Sequence, residues 1–351
     1  MIKFAILGCG RIAKRHAELL GKNQIDKAEL VAVCDVMSDR ANSFAKLFGV
    51  PAYTNLSDLL ERVNCDVVSI LTPSGMHAEH AIAVAQAGRH VVVEKPMALR
   101  LDDADQMIQA CDRSGVKLFV VKQNRFNVPI LKLREALTSG RFGRLVLGTI
   151  RVRWCREQSY YDRDSWRGTW KYDGGVLSNQ ASHHIDMLEW FMGEVESVHA
   201  RSVTSLVSIE AEDTAIATLK FKNGALGVIE ATTAVRPKDL EGSISILGEN
   251  GMVEIAGFAM NEIRHWQFKD PQPVDRDIVE KFSVNPPNVY GFGHQAYYEH
   301  VVSCLQSGSP ALVDGLEGRK SLELISALYE SVETRQEVKL RFKPKLCRLG
   351  E

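Results

Sequence analysis

With 351 residues and a usual domain size of about 150, the chain has room for two domains, each with a core of its own. Apolar residues make up 45%, charged residues 25% and aromatics 7%, a globular composition that excludes collagen-like, disordered and disulfide-dense classes. The 43 basic side chains nearly cancel the 44 acidic ones, so no global field draws in nucleic acid or an anionic membrane, and any anion site is local.

Seven scattered cysteines, none in a C-x-x-C pair, read as reduced thiols rather than as a zinc site or a disulfide framework. The apolar run in MIKFAILGCGR is too short for a signal peptide, and no stretch approaches the roughly 18 uncharged apolar residues of a membrane span. The expectation is a cytoplasmic protein without membrane or nucleic-acid partners.

From residue 2 to about 124, short β-branched runs alternate with amphipathic segments, the rhythm of a parallel sheet covered by helices. Strands are predicted at Ile2 to Leu7, Leu30 to Asp35, Val67 to Leu71, His90 to Glu94 and Lys117 to Val121, and helices near 11–22, 38–48, 76–87 and 102–114. After Val146, longer strand patterns and the hairpin signals Lys222-Asn223-Gly224 and Glu249-Asn250-Gly251 predict a mostly antiparallel sheet. Helices near 181–192, 291–306 and 317–334 are expected to cover one of its faces. The fold class is therefore α/β: a Rossmann domain over 1–124 and an α+β domain with a large open sheet over 125–351.

The first strand runs into Gly8-Cys9-Gly10-Arg11-Ile12-Ala13, a G-x-G-x-x-A turn opening a helix, where Gly8, Gly10, Arg11 and Ile12 are candidates for holding a pyrophosphate. Asp35 ends the second strand, roughly 25 residues after Gly10, where an acid accepts hydrogen bonds from ribose hydroxyls and repels a 2'-phosphate, favouring NAD over NADP. Thr72, Pro73 and His77 follow the third strand, at the sheet edge where ligands of open α/β sheets bind; for His77 a backbone-bonded helix start is an equal alternative.

Glu94-Lys95-Pro96 ends the fourth strand at that edge. Beside a nicotinamide, Lys95 can hydrogen-bond a substrate hydroxyl; a surface salt bridge is the plainer reading of a strand-end lysine. In Asp173-Gly174-Gly175 to Asp186, helical spacing sets Asn179, His183 and Asp186 on one face, with His183 a general base and Asp186 able to fix its tautomer. No metal site is expected, because His183 and its neighbour His184 cannot face each other on a helix. In 151–172, six of 22 residues are aromatic, interleaved with Arg153, Arg156, Arg163 and Arg167. With Trp166, they suit a substrate carrying anionic groups and a stackable face, or else form an exposed strand with an interface patch.

Gly8-x-Gly10-x-x-Ala13, Asp35, Glu94-Lys95-Pro96, Trp166-Arg167 and Gly174-Gly175…His183-x-x-Asp186, in this order, resemble the glucose-fructose oxidoreductase/inositol dehydrogenase (Gfo/Idh/MocA) family. The resemblance implies NAD(P)-dependent oxidation of sugar or cyclitol hydroxyls, oligomers built on the second domain's sheet, and Lys95 and His183 as the catalytic lysine and histidine. Asn179 stands where many members carry an aspartate; it can orient a hydroxyl but not take its proton.

The runs Lys122 to Pro129, Trp154 to Trp170 and Asp173 to Trp190 are similar to the WlbA/WbpB-type branch of that family, UDP-N-acetyl-2-amino-2-deoxyglucuronate 3-dehydrogenases of bacterial surface-polysaccharide (O-antigen) biosynthesis. That likeness implies NAD as cofactor, oxidation of the sugar C3 hydroxyl, Arg125 and Asn127 beside Lys95 on the sugar and its carboxylate, and a homotetramer. Some members recycle NADH with 2-oxoglutarate. The alternatives are a free-sugar or cyclitol dehydrogenase, such as one for myo-inositol, and a non-catalytic NAD-binding sensor.

Overall fold

The structure is a computed structural model describing residues 1–257, 260–283, 292–340 and 347–351. Its chain divides into two compact units, Met1–Lys122 with His294–Arg319, and Gln123–Gly293 with Lys320–Glu351.

The first unit holds six strands: β1 (Ile2–Leu7), β2 (Ala28–Cys34), β3 (Ala52–Tyr53), β4 (Val67–Ile70), β5 (His90–Val93) and β6 (Leu118–Val120). All pair in parallel, in the order β3-β2-β1-β4-β5-β6. The central strands are fully buried, as β4 and Val91–Val93 of β5 are, which a parallel sheet covered on both faces requires. The order reverses beside β1, so the loops after β1 and β4 diverge there and leave a crevice at the strands' carboxyl ends. The predicted helices lie at Ala13–Gly21, Ser38–Phe48, His77–Gln86 and Leu101–Arg113. Sequence reading passed over β3 and the helix Leu56–Arg62, although Asn55 caps that helix by accepting the Asp58 N–H at 2.8 Å.

The compact units depart from a single division at 124/125 in one stretch, His294–Arg319. The helix expected near 291–306 spans Gly293–Ser307, with Gly291 outside the described residues, and from His294 onward it belongs to the first unit. Tyr298 is buried edge-on against Phe4 of β1 at 5.5 Å, and the Val120 N–H donates to Val313 O at 3.1 Å.

The second unit holds an eight-stranded sheet of β7 (Leu145–Arg153), β8 (Val195–Val203), β9 (Thr214–Phe221), β10 (Leu226–Thr232), β11 (Glu241–Gly248), β12 (Gly251–Ala256), β13 (Glu262–Phe268) and β14 (Val338–Lys339). Only β7 and β10 pair in parallel; the other neighbours are antiparallel, as the hairpin signals predict. Alternation gives the sheet two unlike faces. Gly148, Ile150 and Val152 of β7 are buried, and the helix Ser182–Met192 lies against Gly148 so closely that a Cβ there would come within 2.8 Å of Leu188 and Met192 side-chain atoms. The opposite face carries Arg151, Arg153, Glu230 and Glu241, with Ile216, Leu226 and Val228 exposed.

Candidate active site

In the first unit, Gly8 adopts φ +97° and a Cβ there would lie 2.8 Å from the Leu71 backbone, so only glycine allows the turn to cross β4. Above Gly10 nothing lies within 4 Å of where a Cβ would be, which leaves the backbone open to a phosphate, and Arg11 and Ile12 border the same turn. The Asp35 carboxylate accepts the Cys9 N–H at 2.7 Å and the Met37 N–H at 2.8 Å; each oxygen keeps a lone pair for a ribose hydroxyl. These residues fit a dinucleotide. Asp35→Asn keeps an acceptor and removes the charge, so discrimination against NADP is expected to shrink by about tenfold, as read by fluorescence titration with each nucleotide.

His77 requires a correction. Its ring is buried, with Nδ1 2.8 Å from Pro96 O and Nε2 2.9 Å from Thr72 O, so both nitrogens face backbone carbonyls, the ring N–H donates to one of them, and the ring lies between the loop after β4 and the turn after β5. Burial lowers its pKa against the pull of the two carbonyls. Thr72 and Pro73 are half-buried, with Thr72 Oγ1 3.0 Å from His80 Nδ1. Lys95, half-buried, stands just past β5.

In the second unit the glycine-rich turn rests on a buried carboxyl that sequence reading missed. Val176 N–H donates to Glu212 O at 2.9 Å and Leu177 N–H to Glu212 Oε1 at 2.9 Å; Gly175 N–H donates to the Tyr329 hydroxyl, which donates to Glu212 Oε1 at 2.9 Å. A Cβ on Gly175 would come within 2.3 Å of Glu212, which explains the second glycine. Burial pushes the Glu212 carboxyl up to about 7 against these hydrogen bonds, with the Asp173 charge adding to the rise. Folding therefore favours its protonated form. That contribution is complete below the unfolded value near 4.5 and disappears as pH rises through 7, a loss of roughly 3 kcal/mol. Glu212→Gln is expected to flatten the fall in stability between pH 5 and pH 8, measured by urea denaturation at both.

Val176–Gln180 forms a wide turn, and the regular helix starts only at Ser182. Asn179 therefore does not share helical spacing with His183; its amide donates to the Asp173 carboxylate, which also accepts the Gly168 N–H at 2.8 Å. His183 is half-buried with Nε2 3.0 Å from Gln123 Nε2. With that amide donating, Nε2 is the acceptor and its one lone pair is engaged, so a substrate hydroxyl would have to displace the Gln123 amide to reach it. Gln123 has no role in the sequence-based expectations, although it lies in the Lys122 to Pro129 run that singles out Arg125.

A buried ion pair stands behind this contact. The two Asp186 oxygens accept from Arg125 Nε at 2.7 Å and Nη2 at 2.8 Å, with both side chains almost fully buried. Arg125, also stacked 4.7 Å over Trp190, is thus a structural partner and not a free anion ligand. Asn127 is buried beside it at the start of the helix Val128–Thr138. His184 is buried edge-on to Trp154, and burial lowers it to about 4.

The 151–172 segment splits. Arg153 lies on the open face of the sheet, bonded to Glu230 at 2.6 and 2.8 Å and to Glu241 at 3.3 Å, away from the helix bearing His183; this corrects its substrate role. Arg156 pairs with Asp239 at 3.0 Å beside Trp154, and Arg163 is exposed. Arg167 does reach the turn: it stacks 4.6 Å over Trp166 and donates to the Tyr160 hydroxyl, which also accepts from Gln180 at 3.0 Å. Trp166, Arg167, Asn179 and His183 thus share one region of the second unit, with Asp173 joining its loop and its turn.

Family models match both parts of the chain: "Oxidoreductase family, NAD-binding Rossmann fold" over residues 2–122, and "Oxidoreductase family, C-terminal alpha/beta domain" over 134–340. Among solved structures, the WlbA dehydrogenase from Bordetella pertussis in complex with NADH and UDP-GlcNAcA is 45% identical, with a TM-score of 0.93 over 97% of this chain and 98% of that one. The WlbA dehydrogenase from Chromobacterium violaceum, with the same ligands, is 43% identical, with a TM-score of 0.91 over 97% and 96%. A myo-inositol 2-dehydrogenase from Thermotoga maritima is 32% identical over 97% of this chain and 98% of its own. The chain belongs to the Gfo/Idh/MocA oxidoreductase family, with an NAD-binding Rossmann domain followed by the family's C-terminal alpha/beta domain.

Proposed function

We propose that this chain oxidises the C3 hydroxyl of UDP-N-acetyl-2-amino-2-deoxy-D-glucuronate to the ketone, with NAD taking the hydride. The observation that carries this reading is the 45% identity, over almost the whole chain, to a dehydrogenase bound to NADH and UDP-GlcNAcA. NAD, when bound, supplies the hydride acceptor. His183 takes the hydroxyl proton, Lys95 is a hydrogen-bond donor to the substrate, and Asn179 orients a hydroxyl, roles that the family resemblance implies. Trp166 and Arg167, with the exposed Arg163, offer an aromatic face and cations to an anionic sugar nucleotide.

Further parts of the proposal are a homotetramer that buries the exposed Ile216, Leu226 and Val228 of the open sheet face, a cytoplasmic location and a place in O-antigen synthesis. Among the described residues no helix is long and apolar enough to cross a membrane. Recycling of NADH by 2-oxoglutarate belongs to the same reading. The test mixes the purified chain with NAD and the UDP-uronate, with and without 2-oxoglutarate, following NADH absorbance and product mass. A loss of two hydrogens from the sugar nucleotide supports the reading. Turnover of myo-inositol instead would favour the second reading, which rests on the 32% identical inositol dehydrogenase. Bound NAD without turnover on any hydroxyl substrate would favour a sensor.

A further inference from the structure

Inside the first unit a chain of hydrogen bonds runs inward from Lys95, made of groups the mechanism above does not use. The Lys95 backbone N–H donates to Glu94 Oε2 at 3.0 Å, and Glu94 Oε1 lies 3.0 Å from His16 Nε2. His16 Nδ1 lies 2.7 Å from the Tyr298 hydroxyl, which is 2.9 Å from Ser69 Oγ. His16, Tyr298 and Ser69 are completely buried and Glu94 is 7% exposed. Its place at the sheet edge makes Glu94, with Lys95, a candidate to touch the cofactor; its carboxylate points instead into this chain of hydrogen bonds.

The order of donors follows from chemistry. An ionised carboxylate only accepts, so His16 carries its proton on Nε2 and is an acceptor at Nδ1, where Tyr298 donates; the Tyr298 oxygen then accepts from Ser69. Burial lowers the His16 pKa, in keeping with a neutral ring that holds one proton. Burial alone would raise Glu94, but the histidine hydrogen bonds outweigh it and hold the carboxyl well below its ordinary range. A buried carboxylate survives only when its oxygens are satisfied, and a continuous chain of donors polarises toward the charge.

We propose that Ser69, Tyr298, His16 and Glu94 act as a positioning relay that fixes the Lys95 backbone, and with it the direction from which the Lys95 ammonium meets the substrate hydroxyl. This rests on the reading of Lys95 as the hydroxyl-binding lysine. The four groups come from β4, the helix Gly293–Ser307, the helix Ala13–Gly21 and the end of β5, so the relay also makes the placement of Lys95 depend on the helix that returns to the first unit.

A metal is the competing use of this cluster, since ligand atoms of His16, Glu94 and His294 all lie within 4.8 Å of one another. A cation would need the lone pair of the same His16 Nε2 that the hydrogen-bond order protonates.

The test combines kinetics with the backbone amide signal of Lys95 in 15N-lysine-labelled protein, assigned by its loss in Lys95→Met. Tyr298→Phe is expected to move that signal and to lower kcat on the order of 10- to 100-fold, leaving KM and the NAD Kd nearly unchanged. His16→Gln, whose carboxamide can donate to Glu94 and accept from Tyr298, should recover most of the kcat that His16→Leu loses. Wild-type kcat in Tyr298→Phe, equal kcat in the two His16 variants, or one zinc per chain in the isolated protein overturns the relay. If Lys95→Met is inactive while Tyr298→Phe is fully active, only the relay falls; if Lys95→Met is itself fully active, the reading of Lys95 falls first.

Discussion

His183→Asn is expected to lower turnover by roughly 10²- to 10⁴-fold while NAD still binds with nearly wild-type affinity, the usual range for loss of a general base. His183 Nε2 accepts from the Gln123 amide at 3.0 Å, and a substrate hydroxyl that displaces this amide meets the ring's lone pair. Asparagine offers Gln123 a hydrogen-bonding partner but has no nitrogen that takes a proton near neutrality. The groups that fit the dinucleotide, Gly8, Gly10 and Asp35, all lie in the other unit, so their affinity for NAD should not respond. Lys95→Met should behave the same way, with a loss in kcat and kcat/KM together if the lysine acts mainly in the transition state. Stopped-flow NADH absorbance measures the first effect and equilibrium titration with NAD the second. Full activity in either variant would remove that residue from the mechanism.

What the sequence disclosed follows from the range of each signal. Buried parallel strands and amphipathic helices are periodic over a few residues, so β1, β4 and β5 can be read within a residue or so of their ends, and the hairpins at Asn223 and Asn250 declare themselves through turn chemistry. The glycine turn before His183 is equally local. Pairings are not. An amphipathic helix does not announce which sheet it covers, and nothing in His294 to Ser307 says that it returns to β1. Charged residues mislead for the same reason: Arg125 and Arg153 stand in suggestive runs, yet their guanidinium groups are engaged by Asp186 and by Glu230, 61 and 77 residues away. Glu212, which holds three successive residues of the glycine-rich turn in place directly or through Tyr329, lies in a stretch with no motif.

The Arg125–Asp186 pair carries the largest expected effect on stability. Two hydrogen bonds of 2.7 and 2.8 Å join side chains that are 3% and 2% exposed. Arg125→Met leaves the carboxylate buried without its cation, so unfolding free energy is expected to fall by about 3–5 kcal/mol, read from the urea midpoint. Arg125→Met combined with Asp186→Leu removes both charges and fills the space with apolar atoms, so most of that loss should return. Kinetics then separate two meanings of the pair. Gln123 lies two residues before Arg125 and His183 three before Asp186, so the ion pair and the Gln123–His183 contact join the same two stretches of chain. If the double variant is stable but its kcat stays depressed, the pair sets the position of the base; if stability and kcat return together, it serves folding alone.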